Sequence, residues 1–174
     1  MLYVGSFSSP IGTLTTVVDR EGRVKRLHFG RLNKPEANED AAAIAPVQEQ
    51  VEEYFAGERR TFDLALAPDG TGFQRDVWNG LLTIPFGQTL SYGALAERVG
   101  YPGAFRAVGA ANGANPIALI VPCHRVVGSD GRLTGFGGGI PIKAKLLMHE
   151  GVLPPMVAAN AHRRTRIPVQ DAFL

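Results

Sequence analysis

Residues 91–126, SYGALAERVGYPGAFRAVGAANGANPIALIVPCHRV, hold two short helical patterns, a tight apolar run and the chain's single cysteine. Ser91 is placed to cap a helix carrying Tyr92, Leu95, Ala96 and Val99, which Gly100 closes. Beyond the turn Tyr101-Pro102-Gly103 a second helix is expected over about 104–113. Two short helices joined by a glycine-containing turn form the helix-turn-helix pattern, although ordinary packed helix pairs share it. The second helix is rich in small residues. Ala107, Gly109, Ala110, Ala111 and Gly113 add little bulk, which suits either tight helix packing or entry into a nucleic-acid groove. Arg106 is its one large cationic side chain, of a type that narrow minor grooves attract. Asn115-Pro116 follows, then 117–121 as an expected buried strand, then Pro122-Cys123-His124-Arg125-Val126.

Upstream of this stretch, Phe73, Val77, Trp78, Leu81 and Leu82 form a helical stripe that stops at Pro85-Phe86-Gly87. The boundary before it is Pro68-Asp69-Gly70-Thr71-Gly72. Residues 1–70 read as a small α+β domain. Strands are expected at LYVGSF and TLTTVV about the turn Ser9-Pro10-Ile11-Gly12, and over 24–29 and 61–67. Residues 31–43 look like loop, and Pro46 suits the first turn of a helix whose Val47, Val51, Tyr54 and Phe55 share a face. Residues 71–152 make the second domain. Residues 153–174, with His162, Arg163, Arg164 and Arg166, form an extension, either a disordered basic tail or a segment packed on the first domain.

The totals narrow the class. A chain of 174 residues, 45% hydrophobic and 20% charged, can bury one ordinary core or two small ones. No run approaches the length of a membrane helix and the N-terminus lacks a secretory pattern, so a soluble, cytoplasmic protein without a membrane partner is expected. One cysteine makes no internal disulfide and no multi-cysteine zinc site, and neither metal nor cofactor is expected. The net charge of +2 is uneven: residues 1–70 carry 8 Lys and Arg against 11 Asp and Glu, and residues 71–174 carry 10 against 5. A basic second part is compatible with a polyanionic partner and with ordinary solvated surface.

A lone cysteine is commonly inert and buried. Cys123 differs in its setting, between an apolar run and the pair His124-Arg125, whose cationic or proton-accepting groups lower a thiol's pKa and favour the attacking thiolate. His124 needs an orienting carboxylate to act as a base. Downstream stand Asp130, in a turn signature, and Glu150, at the end of IPIKAKLLMHEG. The run Thr134-Gly135-Phe136-Gly137-Gly138-Gly139 lacks the Gly-Lys-Ser/Thr ending of a phosphate loop and suits a pocket wall with free backbone N–H groups.

At these residues the chain resembles the O6-alkylguanine-DNA alkyltransferases, the methylated-DNA–protein-cysteine methyltransferases. PCHRV is that family's reaction-centre motif. FQRDVWNGLLTIPFGQTLSYGALA, RAVGAANGANPIALIVPCHRVVGSDGRLTGFGGG and KAKLLMHEG are similar to family segments in order and spacing, covering 73–151 almost without a gap. The resemblance implies a small N-terminal α/β, ribonuclease-H-like domain. A mostly helical, winged-helix-like helix-turn-helix domain carrying the active-site cysteine would follow, an α+β chain in all. It further implies irreversible, single-turnover transfer of the alkyl group from O6-alkylguanine in double-stranded DNA to Cys123, by a monomer, with O4-alkylthymine a second candidate substrate.

Laid on matching positions, the family's catalytic network of cysteine, water, histidine and glutamate becomes Cys123, His124 and Glu150, with Asn115 bracing the turn. Arg106 matches the arginine finger that enters from the minor groove, and Tyr92 the tyrosine that rotates the nucleotide and lies near guanine N3. The DNA-facing set is Arg106, Tyr92, Ala107, Gly109, Asn112 and Gly113. The base pocket is formed by Val126, Phe136 and Gly137, with backbone carbonyls at Cys123 and Val126 and an N–H near Gly137. Phe136 stands where many members carry tyrosine, and Gly137 where some carry a larger residue. The rival readings are a non-catalytic alkyltransferase-like lesion sensor, a thiol hydrolase and a plain transcription regulator. Sensors of that kind replace the acceptor cysteine, which this chain retains.

Overall fold

The structure is a computed structural model that describes residues 1–33, 36–162 and 165–167. The chain divides into two units, Met1–Asp69 with Pro116–Ile120, and Gly70–Asn115 with Val121–Leu174. The break after Asp69 lies in the Pro-Asp-Gly segment. Pro116–Ile120 group by contact with the first unit.

In the first unit β1 (Leu2–Ser9), β2 (Gly12–Asp19) and β3 (Val24–Phe29) form an antiparallel meander, and the short β4 (Asn38–Glu39) pairs parallel to β1. The order is β3-β2-β1-β4. As an interior strand β2 is buried at every position from 14 to 18, so Thr15 and Thr16 must be satisfied. The Thr15 hydroxyl donates to Gly30 O at 2.7 Å, and that of Thr16 to Arg26 O at 2.8 Å. Helix α1 (Ala41–Phe55) covers β1 and begins five residues before Pro46. Asp40 caps it, accepting from Ala42 N and Ala43 N, and this cap over an alanine run fixes the start. Ile44 of α1 packs on Gly5, where a Cβ would lie 2.5 Å from Ile44 Cγ1.

Two expected strands take another form. Within 61–67 only Leu66 bridges to Val24. Residues 117–121 are buried but irregular. Ile117 bridges to Leu27, Leu119 has φ of 70°, and Ile120 N bonds back to Ala118 O at 2.8 Å. An unbroken apolar run carries no periodicity, so composition alone does not separate a strand from a buried turn.

The second unit holds α2 (Gly72–Leu81), α3 (Tyr92–Arg98) and α4 (Phe105–Gly113), packed on one another. Thr71 and Gln74 form a reciprocal capping box on α2, and Ser91 Oγ accepts from Ala94 N at the head of α3. Trp78 Nε1 donates to Ala111 O at 2.9 Å, pinning α2 to α4. Gly80 leaves the space that Val99 fills. Strand β5 (Leu90–Ser91) pairs with β6 (Val126–Val127), and α5 (Ile140–His149) and α6 (Pro155–Ala159) complete the unit.

The described part of the C-terminal extension docks on this second unit, by neither route expected. Leu153, Ala158 and Ile167 join Val127, Leu133, Ala144 and Leu147 in one apolar cluster. Ile167 N donates to Gly131 O at 2.9 Å and Leu133 N to Thr165 O at 2.9 Å. Burial of apolar side chains therefore decides where this segment goes. Arg163 and Arg164 lie outside the described residues. Among the described residues no helix is long and apolar enough to cross a membrane.

Candidate active site

Pro122 ends the apolar run and turns the chain into a 3-10 turn, Cys123–Arg125, that leads into β6. Asn115 braces the approach, its Nδ2 donating to Val121 O at 2.8 Å. Cys123 is therefore set by a turn, not by the end of a strand. It is enclosed, with 5% of its surface exposed. Burial pushes its thiol pKa up, against hydrogen bonds from Asn115 and the backbone and the charge of Lys143. The lowered resting pKa expected from neighbouring cations is thus overturned: loss of hydration outweighs them. The groups acting on the sulfur are nevertheless polar.

His124 is fully buried, and its Nε2 lies 2.7 Å from Glu150 Oε2. Glu150, capping the C-terminus of α5, also receives Arg125 Nε at 2.7 Å, Arg125 Nη2 at 3.0 Å and Gly87 N at 3.3 Å. Burial pushes the carboxyl up, but His124 and Arg125 outweigh it and hold Glu150 well below the usual carboxylate range. Burial pushes His124 down, more than Glu150 pulls it up, and Arg125 and Lys143 add to the fall. A neutral imidazole beside an ionised carboxylate carries its proton on Nε2. Nδ1 is then an unprotonated lone pair, buried and without a partner among the described residues. Arg125 does not serve the thiol directly; it anchors Glu150 and donates to Ile84 O at 2.7 Å.

Tyr92, first residue of α3, accepts from Thr134 Oγ1 at 2.8 Å, and its ring lies 3.7 Å from where a Gly109 Cβ would sit. The face of α4 turned outward carries Phe105, Arg106, Ala107, Ala110 and Gly113. Asn112, expected among the DNA-facing residues, is 3% exposed, and it pulls the Tyr92 pKa down. Helical phase puts it on the face of Val108 and Ala111. Gly109 is half-buried under the Tyr92 ring. Val126 is buried, Phe136 half-buried and Gly137 exposed. Among the described residues no group of three or more His, Cys, Asp and Glu side chains could hold a metal.

Lys143 is the residue that sequence reasoning missed. Its side chain is buried on α5, with Nζ donating to Val126 O at 2.6 Å and lying 3.5 Å from Thr134 O. Burial lowers its pKa to about 8, and the charge of Cys123 opposes the fall. A signal was present: Lys143, Leu147 and Glu150 recur at helical spacing on one face.

The likeness to known proteins spans both units. The DNA-binding domain of 6-O-methylguanine DNA methyltransferase matches residues 72–152, and the ribonuclease-like domain of the same family matches residues 2–68. The methylated-DNA–protein-cysteine methyltransferase of Methanosarcina acetivorans is 47% identical over 155 residues, 86% of this chain and 99% of that protein. Its namesake from Mycobacterium bovis is 47% identical over 150 residues, 84% of this chain and 91% of that protein. The crystal structure of Mycobacterium tuberculosis OGT in complex with DNA has a TM-score of 0.81 at 44% identity, covering 90% of this chain and 98% of that one. With both domains matched in order and nearly the full length of its relatives spanned, the chain belongs to the 6-O-methylguanine DNA methyltransferase family.

Proposed function

We propose that the chain repairs DNA by direct reversal, moving the alkyl group of O6-alkylguanine in duplex DNA onto Cys123 once per molecule. The observation that carries this reading is the buried His124–Glu150 pair next to Cys123, with the imidazole Nδ1 buried and without a partner among the described residues. A thiol raised by burial needs a base close by, and His124, held by a carboxylate that stays ionised, is that base. A water between Nδ1 and the sulfur would complete the relay that the family resemblance implies. Asn115 supports the turn that presents the sulfur.

The O6 substituent is buried in the base stack, so the nucleotide must be extruded, at about a few kcal/mol. Helices α3 and α4 act as a helix-turn-helix whose exposed face enters the minor groove, through Ala107 and Gly113 among others. Arg106 fills the vacated stack. The extruded guanine meets the carbonyls of Cys123 and Val126, the N–H of Gly137 and the ring of Phe136. Val126 O also accepts from Lys143. The sulfur attacks the alkyl carbon, the carbon–O6 bond breaks, and Tyr92 protonates N3 of the departing guanine. A thioether remains. No second nucleophile of the chain is assigned to cleave it, hence one turnover, by a monomer whose unpaired thiol suits the reducing cytoplasm.

Intact mass after incubation with an O6-methylguanine duplex tests this. The expected result is a gain of one methylene per chain, absent in Cys123→Ala. Tight binding with no gain in mass overturns it in favour of a lesion sensor.

A further inference from the structure

We propose that Thr134 is a positioning residue for this reaction, with Asn112 supporting it: Thr134 donates to the Tyr92 oxygen, turning its proton toward the base and holding the charge left when that proton departs. The proposal rests on the reading of Tyr92 as proton donor given above.

Thr134 stands in the loop before α5, and its hydroxyl donates to Tyr92 Oη at 2.8 Å. Asn112, on α4, also pulls the Tyr92 pKa down. A phenol oxygen offers two lone pairs and one proton. With a lone pair held by Thr134, the proton is turned away from that contact and toward another partner. Thr134 is itself fixed, since its carbonyl lies 3.5 Å from the buried Nζ of Lys143.

The Thr134 contact also bears on the charge that Tyr92 must carry. Burial pushes the phenol pKa up and the facing titratable group, Cys123, adds to the rise, while Thr134 and Asn112 pull it down. Without the pair a half-buried phenol would hold its proton when the leaving purine needs it. The exchange balances. The thiol proton passes to His124, sulfur bonds to the alkyl carbon, and the carbon–O6 electron pair enters the purine. N3 then takes the Tyr92 proton, and the phenolate recovers one from the His124 imidazolium through solvent.

The test is a titration of protein labelled with 13Cζ-tyrosine, the Tyr92 signal assigned with Tyr92→Phe, beside the single-turnover rate on methylated duplex as a function of pH. Thr134→Val should raise the Tyr92 pKa by about one unit and slow transfer about tenfold, the effect of one hydrogen bond to a charged group. Thr134→Ser should restore both. Asn112→Leu should move both in the same direction and serves if Thr134→Val does not fold. An unmoved Tyr92 titration in the variants, or a moved titration with an unchanged rate, overturns the pair while leaving Tyr92 as donor. Wild-type transfer by Tyr92→Phe overturns the donor reading itself, and the pair with it.

Discussion

Among the described residues, the buried polar side chains of the first unit, Thr15, Thr16 and Tyr54, carry only hydroxyls. Those buried in the second include His124, Arg125, Lys143 and Glu150, which carry or accept charge. The Thr16 hydroxyl is answered by a carbonyl of β3 and that of Thr15 by Gly30 O just beyond it, so the first unit is held by regular pairing and apolar packing. The second unit takes ionised groups out of water, which is expensive unless each is matched. Glu150 is matched four times over, by His124, by two nitrogens of Arg125 and by Gly87 N. Well-packed apolar residues commonly do as well for stability as a buried ion pair. The difference therefore locates chemistry in the second unit and scaffold in the first.

The largest expected effect comes from breaking the ionic cluster. Glu150→Ala strands Arg125 in a low-dielectric site and should destabilise the protein by about 3–5 kcal/mol. Glu150→Gln keeps the shape and tests the chemistry. The folded carboxyl titrates below its ordinary value of 4.5. Its contribution to stability is thus complete above that value and is lost as pH falls through the folded pKa. Denaturant midpoints measured against pH should show this slope in the wild type and not in the variant. The pH profile of methyl transfer by Glu150→Gln should move upward, because His124 without its carboxylate is a weaker base for the thiol. Unmoved midpoints and an unmoved profile would mean that the two units do not differ in the way described.

How much of this was legible beforehand follows the same division. The helix pair α3 and α4 was readable because Ser91, Gly100 and the apolar spacing are local signals. Cys123, His124 and Glu150 were readable through a motif and a helix end, and His124 and Glu150 meet in the fold. The electrostatic outcome at the sulfur was not, since burial depends on everything packed around it. Nor were the roles of Arg125 and Lys143, whose partners lie as far away as Ile84 and Val126. Helix α1 was misplaced at its start because Pro46 gave a stronger local cue than the cap at Asp40. The docking of Ile167 was hidden because a few apolar residues in a basic tail form no periodic pattern.

A smaller effect is expected where the first unit is packed most closely. Gly5→Ala places a methyl 2.5 Å from Ile44 Cγ1, between β1 and α1. Overpacking of this kind costs about 1–3 kcal/mol. Thermal unfolding should report the loss. Methyl transfer per folded molecule should be unchanged, because no group of the His124–Glu150 cluster is touched. A transfer rate that fell with stability would make the first unit part of the catalytic apparatus and end the contrast.

The smallest effect on the fold, with a selective effect on function, is expected at Arg106, and it sharpens the comparison from within the second unit. Arg125 and Lys143 are buried cations with specific acceptors, whereas Arg106 is exposed on the outer face of α4 beside Phe105, its guanidinium 5.9 Å from the ring centroid. An exposed cation contributes little to folding, so Arg106→Ala should leave the unfolding midpoint unchanged. If the side chain fills the stack that the nucleotide leaves, its removal should slow transfer from methylated duplex by roughly tenfold or more, matching loss of part of the few kcal/mol that extrusion requires. Free O6-benzylguanine has no stack to leave, and its reaction should proceed at the wild-type rate. Equal losses on both substrates would place Arg106 in the chemistry and not in extrusion. A loss on neither would return α4 to the role of an ordinary packed helix, the reading that its small residues also allow.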